Sequence, residues 1–319
     1  MEKQRDLKQL MDKFKDKASL IKATLSTKRT VSSIDVAVIR ATTHKRNTAP
    51  PNHRVSALLS LGDHSFLVQS VCIDAILHRL HKTRSPYVAL KCLLIIHNII
   101  SKSFSIFKKQ LTLKPLAEGT NPLNLSSFQN DENEESFELS AWVRWYACVV
   151  ECNLVKLRFF GVSISSSRNK NVEFRNDDYY GKEFRNDDYY GKEYLKVDSI
   201  LVKEINYLVL LVEEICKVPD SLRYMKNDVV HDVMMLVGKD YRSTQHQIMH
   251  RLGELDGRVN RLTLSDSSEL VSCLRRLEGC RGRLTEMFRN RMKNVDFWEL
   301  VGYRKKEVLD NGNTFGIVG

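Results

Sequence analysis

The sequence predicts an all-α protein, and three observations support that prediction. Glycine and proline are sparse, with 14 and 6 copies among 319 residues, so few turns are signalled. The alternation of apolar and polar residues that is typical of strands is nearly absent. Apolar residues recur instead at helical spacing along most of the chain. Because 42% of the residues are hydrophobic, the chain can bury a core and is not globally disordered.

The N-terminal region carries a lysine-rich amphipathic pattern. It predicts a first helix over residues 3–25, whose apolar positions fall at helical spacing: Leu7, Leu10, Met11, Phe14, Ala18 and Ile21. A short helix is predicted over residues 33–42, with aliphatic side chains on its buried side. Residues 43–51 then form a polar loop that ends in two prolines.

Capping residues mark the next three helices. Asn52 caps a helix that stops at Gly62, and Asp63 caps the helix after it. The dipeptide Ser85-Pro86 places a capping serine before a proline at the first helical position. The helix that begins there, Tyr87–Ile100, is apolar almost all round, which predicts a central helix packed on every side.

Loops and helices alternate in the second half of the chain. Residues 112–136 are loop-like, and residues 139–160 are helical. A second loop is predicted over residues 163–192, because it contains a tandem repeat, EFRNDDYYGK, that is too short for a solenoid unit. Four more helices follow: Tyr194–Cys216, Asp228–Leu255, Ser265–Asn290 and Asp296–Val308. The chain after Asp310 is expected to fray.

Charge is concentrated at one end of the chain. The formal net charge is +11, from 50 basic and 39 acidic residues. The first 60 residues hold 13 of the basic and 5 of the acidic residues, so the remainder is nearly neutral. A cationic end on a nearly neutral body favours an anionic partner, which is a membrane surface, a nucleic acid or an acidic protein. A solvated basic face is the alternative.

Motifs for catalysis and cofactor binding are missing from the sequence. It contains no Gly-x-Ser-x-Gly elbow, no phosphate loop, no His-Glu-x-x-His and no dinucleotide glycine pattern. His246 and His250 lie four residues apart with Glu254 one turn further, but no other metal ligand is indicated, so a surface pair is favoured. His97 lies in the apolar helix and is interpreted as a hydrogen-bonded core residue. The sequence therefore predicts no enzyme, no cofactor and no metal site.

Three features favour a soluble intracellular protein. The longest apolar stretches, Leu93–Ile100 and Leu208–Val212, are far shorter than the ~20 residues of a spanning helix. Residues 1–17 are charged throughout and lack an apolar signal core. The seven cysteines are scattered, mostly in apolar helical pattern, which is typical of reduced core thiols rather than of a disulfide framework.

The segment RATTHKRNTAPPNHR, residues 40–54, carries the clearest functional signal. His53 and Arg54 occupy the first turn of a helix, where the positive dipole end disfavours cations by roughly 0.3–1 kcal/mol each. A bound anion would remove that cost, because the unpaired N–H groups of the first turn and the cations would both face it. Arg40, at the end of the preceding helix, converges on the same place. The predicted phosphate site has six residues: Arg40, Lys45, Arg46, Asn52, His53 and Arg54. A solvated basic loop is the alternative.

This segment resembles the phosphoinositide-binding motif of the ANTH domain family of clathrin-assembly proteins, which reads Lys-Ala-Thr-x6-Pro-Lys-x-Lys-His. Further segments resemble the family in order: LHRLHKT at residues 77–83, YVALKCLLIIH at 87–97, SAWVRWY at 140–146 and LVGKD at 236–240. The resemblance covers roughly residues 20–305 and is closest to the plant branch of the family.

Within the motif, two positions match in charge and two depart. Arg40 begins the motif and is followed by the matching Ala-Thr pair, and Arg54 takes the second basic position after the prolines. Asn52 and Val55 replace a lysine and a histidine of the family. The lengthened loop, residues 43–51, adds two cations that can replace the lost charge.

The resemblance implies a right-handed superhelical stack of α-helices and a non-enzymatic endocytic adaptor. Such an adaptor binds membranes that contain phosphatidylinositol 4,5-bisphosphate, promotes clathrin coat assembly and sorts SNARE cargo. It is cytoplasmic and peripheral on membranes, at clathrin-coated pits and vesicles, the plasma membrane and the Golgi apparatus. The adaptor boxes Asn-Pro-Phe and Asp-Leu-Leu that the family carries in a long tail do not occur in this sequence, so clathrin binding rests on the resemblance.

A basic helical nucleic-acid-binding protein is the alternative function. No aromatic residue is interleaved with the basic ones between residues 20 and 60, and no recognition-helix motif occurs. Both observations disfavour a nucleic-acid partner.

The predicted domain organisation follows the same resemblance. Residues 1–30 form a basic amphipathic segment, and residues 31–305 form the ANTH-like domain with loop insertions at 112–136 and 163–192. Residues 306–319 form a short tail. Deleting one copy of the tandem repeat is expected to leave the melting temperature nearly unchanged, because surface insertions cost little.

Overall fold

The structure, a computed structural model, is all-helical over the residues it describes. These are residues 2–24, 29–61, 66–101, 123–173, 187–221, 227–288 and 295–315. They form ten α-helices and one short 3-10 helix, with no strand among them, so the all-α prediction is confirmed. None of the described helices combines the length and the apolar character needed to cross a bilayer.

The chain divides into two compact units. The first comprises Met1–Leu154 and Val218–Val237, and the second comprises Val155–Lys217 and Gly238–Gly319. Five helices lie wholly in the first unit: α1 (Glu2–Thr24), α2 (Arg29–Ala41), α3 (Asn52–Leu61), α4 (Phe66–Lys82) and α5 (Pro86–Ser101). Two helices contribute to both units: α6 (Glu134–Glu173) and α8 (Asp228–Glu254). The others belong to the second unit: α7 (Asp187–Cys216), the 3-10 helix Val259–Arg261, α9 (Leu264–Phe288) and α10 (Val295–Phe315).

Helix α5 is the centre of the first unit. Every residue from Pro86 to His97 is buried, which confirms the prediction of a fully packed helix. The Ala89 N–H donates to the Ser85 carbonyl at 3.0 Å, so the helix begins at the predicted Ser-Pro pair. His97 Nδ1 lies 2.8 Å from the hydroxyl of Tyr146, which is itself fully buried. The prediction that His97 is a hydrogen-bonded core residue is confirmed.

The second unit is held by apolar packing and by an ion pair that a buried arginine makes with a carboxylate at the surface. Tyr241 stacks on Phe288 with ring centroids 5.2 Å apart. Arg304 is 2% exposed, and its guanidinium lies 2.8 Å from Asp256 Oδ1. None of the seven cysteines, all of which lie within the described residues, forms a disulfide, and four are buried: Cys72, Cys92, Cys273 and Cys280.

Several predicted boundaries are wrong, because helices continue further than their patterns indicated. Residues 134–136, 163–173 and 187–192 are helical rather than loop. Residues 162–173 contain no glycine or proline, and extending a formed helix costs much less than nucleating one. The second repeat places two aspartates in the first turn of α7, and acidic residues are favoured at that end of a helix. The chain after Asp310 stays helical to Phe315. Residues 102–122 and 174–186 lie outside the described residues, as do Gly62 and Asp63.

Candidate anion-binding site

The six predicted site residues lie along one continuous connection in the first unit. Helix α2 ends at Ala41, a loop runs over residues 42–51, and α3 begins at Asn52. Arg40 is in the last turn of α2, two cations are in the loop, and the remaining three residues form the first turn of α3. Four of the six are exposed: Arg40, Lys45, Asn52 and His53. Arg46 and Arg54 are half-buried.

Arg40 and Arg54 meet as the sequence predicted, but the contact joins the side chain of Arg54 to the backbone of Arg40. Arg54 Nη1 donates a hydrogen bond to the Arg40 carbonyl oxygen. That carbonyl is in the last turn of α2, where carbonyl groups lack helical partners, so Arg54 ties the end of α2 to the start of α3. The expectation that the Arg54 N–H is unpaired is wrong, because it donates to the Pro51 carbonyl at 2.9 Å.

A buried lysine that the sequence analysis missed supports the loop from below. Lys91 of α5 is 1% exposed, and its Nζ donates to the carbonyl oxygens of Thr43 and Lys45 at 2.8 and 2.6 Å. Burial lowers the pKa of the Lys91 ammonium to about 8. The sequence did contain a signal for this residue, a lone lysine in an apolar run. A charge buried in such a helix needs polar partners, so the lysine indicated a specific contact.

The tip of the loop is anchored at Asn47. Its backbone is in the left-handed region with a φ of 49°, which asparagine tolerates better than most residues. Tyr87 donates from its hydroxyl to Asn47 Oδ1 at 2.8 Å, and Asn227 Nδ2 donates to the same oxygen at 3.1 Å. The loop therefore has a defined conformation although its surface is charged.

Helix α1 docks on this loop through two aspartates. Asp16 accepts hydrogen bonds from the His44 N–H at 3.1 Å and from the His44 ring Nδ1 at 2.6 Å. Arg46 Nε donates to Asp12 Oδ2 at 3.3 Å, and Arg79 Nη2 lies 3.8 Å from Asp16. One predicted cation of the site, Arg46, is thus paired with a carboxylate from within the chain.

The apolar face of α1 points away from the protein. Leu10, Met11, Phe14 and Ile21 are 51, 54, 61 and 61% exposed. At about 100° per residue these side chains share one side of the helix, and the two docking aspartates lie on the opposite side. A surface helix of a globular protein ordinarily buries its apolar stripe against the core, so α1 is inverted relative to that pattern.

A cavity of about 480 Å³ lies where α1, the loop and the end of α4 meet. Its lining includes His44 and five cationic side chains: Lys15, Arg46, Arg79, Lys82 and Arg84. Two carboxylates also line it, Asp12 and Glu132. Sequence reasoning selected only Arg46 of these cations. The cationic cluster at residues 79–84 could have indicated the cavity. It was not selected, because cations at the C-terminus of a helix are already explained by their favourable interaction with the helix dipole.

The cations of this arrangement can bind an anion. Within the described residues no group of three His, Cys, Asp or Glu side chains is placed to hold a metal ion. His250 Nδ1 lies 3.5 Å from Glu254 on an exposed helix face, as expected for a surface pair.

Comparisons with known proteins agree with the motif. The family model of the ANTH domain matches residues 33–295. Three Arabidopsis thaliana proteins, each named as a putative clathrin assembly protein, match nearly the whole chain. The first is 37% identical over 92% of this chain and 78% of its own length. The second is 30% identical over 92% of this chain and 96% of its own length. The third is 29% identical over 95% of this chain and 86% of its own length.

Proposed function

The chain belongs to the ANTH domain family, and we propose that it is a non-enzymatic adaptor of clathrin-mediated endocytosis. In this proposal it binds membranes that contain phosphatidylinositol 4,5-bisphosphate and promotes assembly of the clathrin coat. The names of the three relatives support the clathrin partner, and the family motif supports the lipid.

The observation that carries the proposal is the inverted helix α1 beside a cationic loop. Apolar side chains that are more than half exposed gain free energy by entering the acyl boundary of a bilayer, at about 1.5–3 kcal/mol for a fully buried Leu or Phe. Each nearby Lys or Arg adds about 1 kcal/mol of attraction to an anionic leaflet. An apolar helix face flanked by lysines therefore fits a membrane surface better than it fits water or a nucleic acid.

The cationic connection between α2 and α3 supplies the contact with lipid phosphates. Its six residues are Arg40, Lys45, Arg46, Asn52, His53 and Arg54. Arg40 and Lys45 are exposed and carry fixed charge, so they attract the membrane directly. Arg54 has further N–H donors beyond the one bound to the Arg40 carbonyl, which leaves it able to bind a phosphate oxygen.

The partners and location of the adaptor follow from the family. We infer cytoplasmic, peripheral attachment at clathrin-coated pits and vesicles, the plasma membrane and the Golgi apparatus, with SNARE proteins as cargo. We also propose the domain organisation predicted from the sequence, in which a basic N-terminal segment over residues 1–30 precedes the lipid-binding connection.

Vesicle co-sedimentation of the full chain tests the proposal. Three vesicle compositions are compared: phosphatidylcholine alone, phosphatidylcholine with phosphatidylinositol 4,5-bisphosphate, and phosphatidylcholine with phosphatidylserine at equal surface charge. The bisphosphate vesicles are expected to bind most protein, and a competing RNA is expected to release little of it. Equal binding to both anionic vesicles would leave only a basic patch, and complete release by RNA would favour the nucleic-acid alternative. A cage-assembly assay with purified clathrin tests the coat function separately.

A further inference from the structure

We propose that Cys216 and Cys280 form a reversible disulfide when the protein meets a peroxide, and that this bond fastens the end of α7 to α9. Both residues belong to the second unit, so the proposal goes beyond the membrane and clathrin functions proposed above. It makes the pair a modification site that responds to the redox state of its surroundings. Disulfides in the cytosol, where they occur, are usually of this transient kind.

The two cysteines face each other across the contact between α7 and α9, although they are 64 residues apart in the chain. Cys216 is the last residue of α7, and Cys280 lies within α9. Cys216 Sγ lies 3.9 Å from the Cys280 carbonyl oxygen, and the two thiols are hydrogen-bonded to each other. Because an S–S bond is about 2.05 Å long, the sulfurs need only a small further approach to form one.

Polar contacts between the same two helices hold the thiols in place. Asn206 of α7 donates from Nδ2 to Glu269 Oε1 of α9 at 2.9 Å, and Arg276 Nη2 donates to Asn206 Oδ1 at 2.7 Å. Arg276 Nε also lies 3.5 Å from Glu213 Oε1 of α7. These contacts fix how α7 lies against α9. Groups held in contact in this way react with each other much faster than groups that must first diffuse together.

Cys280 has the reactivity that a peroxide-sensitive thiol needs. Its hydrogen bond with Cys216 lowers the pKa of the Cys280 thiol and raises the pKa of the Cys216 thiol. Burial instead raises the pKa of Cys72 and Cys273 to about 11 and that of Cys92 to about 12, as is typical of inert core thiols. Because the thiolate is the nucleophile, Cys280 is the thiol that attacks first.

The pair is close enough to the surface for a small oxidant to reach it. Cys216 is half-buried, and Cys280 is 8% exposed. The residues that follow them, Lys217 and Arg281, are both exposed. A molecule as small as hydrogen peroxide therefore reaches the thiols from water without unfolding of the unit.

The reaction balances with hydrogen peroxide as the oxidant. The Cys280 thiolate attacks one peroxide oxygen, the O–O bond breaks, and the departing hydroxide takes up the proton that the thiol lost, which leaves a sulfenic acid and water. The Cys216 sulfur then attacks the sulfenic sulfur, the S–O bond breaks, and the thiol proton leaves with the hydroxyl as a second water. Two electrons pass from the two thiols to one peroxide. A dithiol reductant reverses the bond by thiol–disulfide exchange.

Peptide mapping of the native full chain tests the bond. The protein is treated with hydrogen peroxide, its remaining thiols are alkylated, and it is digested without reductant. The expected product is a pair of peptides joined through Cys216 and Cys280, lighter than the separate peptides by two hydrogen atoms and separated again by dithiothreitol. The proposal is overturned if peroxide leaves both thiols free to react with the alkylating agent, or if it oxidises Cys72, Cys92 and Cys273 before this pair.

Two serine variants assign the roles of the thiols. Cys216→Ser should stop the reaction at a sulfenic acid on Cys280, which dimedone traps, whereas Cys280→Ser should give no sulfenic acid on Cys216. The control, Cys148→Ser with Cys152→Ser, removes two half-buried thiols from α6 and should leave the cross-link intact. Sulfenic acid on Cys216 in place of Cys280 would overturn the assignment of the attacking thiol. The cross-link itself is mapped in the wild type, so its test does not depend on the folding of a variant.

A thermal melt tests whether the bond fastens the helices. A disulfide that closes a loop of this length removes freedom from the unfolded chain, so oxidation should raise the melting temperature by about 4 °C or more. The rise should disappear on reduction, and Cys216→Ser treated with peroxide should not show it. A cross-linked wild type that melts at the same temperature as the reduced protein overturns the fastening of α7 to α9.

Discussion

Lys91 Nζ donates a hydrogen bond of 2.6 Å to the backbone carbonyl of Lys45, so a buried cation supports the loop on which an exposed cation stands. The two lysines have different roles. Lys91 sets the course of the loop by binding its carbonyl groups, and Lys45 faces solvent where an anion can reach it. The conformation of the cationic connection therefore depends on a buried residue of α5.

Replacing Lys91 with methionine should destabilise the protein and change how its stability depends on pH. Two loop carbonyls lose their donor, which costs about 1–3 kcal/mol for each group left unsatisfied. The folded pKa of about 8 lies below the ordinary 10.5, so the unfolded chain binds the proton more tightly. The wild type should accordingly gain stability as pH rises from about 8 to 10.5, relative to the Lys91→Met variant.

Urea unfolding of both proteins at several pH values checks this. The difference between their unfolding free energies is the quantity of interest, because other groups titrate equally in both. If the difference in unfolding free energy stays constant between pH 7 and 10, burial does not shift the pKa of the Lys91 ammonium.

Changing the outward face of α1 should weaken membrane binding without affecting folding. Leu10→Ser with Phe14→Ser removes two apolar side chains that are more than half exposed, so the free energy of unfolding should change by less than about 0.5 kcal/mol. Partition onto anionic vesicles should fall by about tenfold or more, because the lost burial in lipid is of order 1.5–3 kcal/mol per side chain.

The matched control for α1 is Leu67→Ser. Leu67 is 75% exposed on α4. Its substitution therefore removes a similar apolar side chain from another surface of the first unit. Vesicle co-sedimentation beside a thermal melt separates the two effects. An equal loss of vesicle binding in the Leu67 variant would mean that α1 has no special part in docking.

The paired arginines should give lipid specificity, and the loop lysine should give only attraction. Arg40→Ala with Arg54→Ala is expected to weaken binding to bisphosphate vesicles by at least about tenfold, since two charge-assisted contacts are removed. Lys45→Ala should weaken binding less, and to a similar extent for bisphosphate and phosphatidylserine vesicles. Both losses should shrink as salt rises.

Arg54→Lys is the control that separates charge from geometry, because lysine lacks the planar fork of arginine. The free energy of unfolding is measured for each variant, since Arg54 also binds the Arg40 carbonyl. If the double variant keeps its preference for bisphosphate vesicles, the two arginines do not read the headgroup.

Removing the Tyr146 hydroxyl should destabilise the core of the first unit. Tyr146→Phe leaves His97 Nδ1 without the oxygen that now lies 2.8 Å away, and the site is fully buried. The expected loss is about 1–3 kcal/mol in the free energy of unfolding. A double-mutant cycle with His97→Leu measures the pair, and additive losses would show that the two side chains do not interact.

Local sequence was sufficient to predict most of the helices, although not where several of them begin and end, and the charged connection. Apolar spacing of three and four residues reports which residues share a helix face, and Ser85-Pro86 marks where α5 begins. The cationic segment between residues 40 and 54 was also evident, because first-turn cations conflict with the helix dipole within a single turn. Each of these signals acts between residues that are near neighbours in the chain.

The tertiary structure decided which face of α1 points inward and how the cations are used. Amphipathic spacing in α1 is the same whether its apolar side meets a core or faces away from it. The orientation was set by Asp16 meeting His44 and by Asp12 meeting Arg46, across 28 and 34 residues of sequence. The cavity likewise brings Arg79 of α4 near Asp12 of α1, and the loop needs Lys91 beneath it. Contacts between residues so far apart in the chain produce no periodic pattern in the sequence. Each is fixed by how different helices pack together, whereas a periodic pattern reports only which residues share a face of one helix.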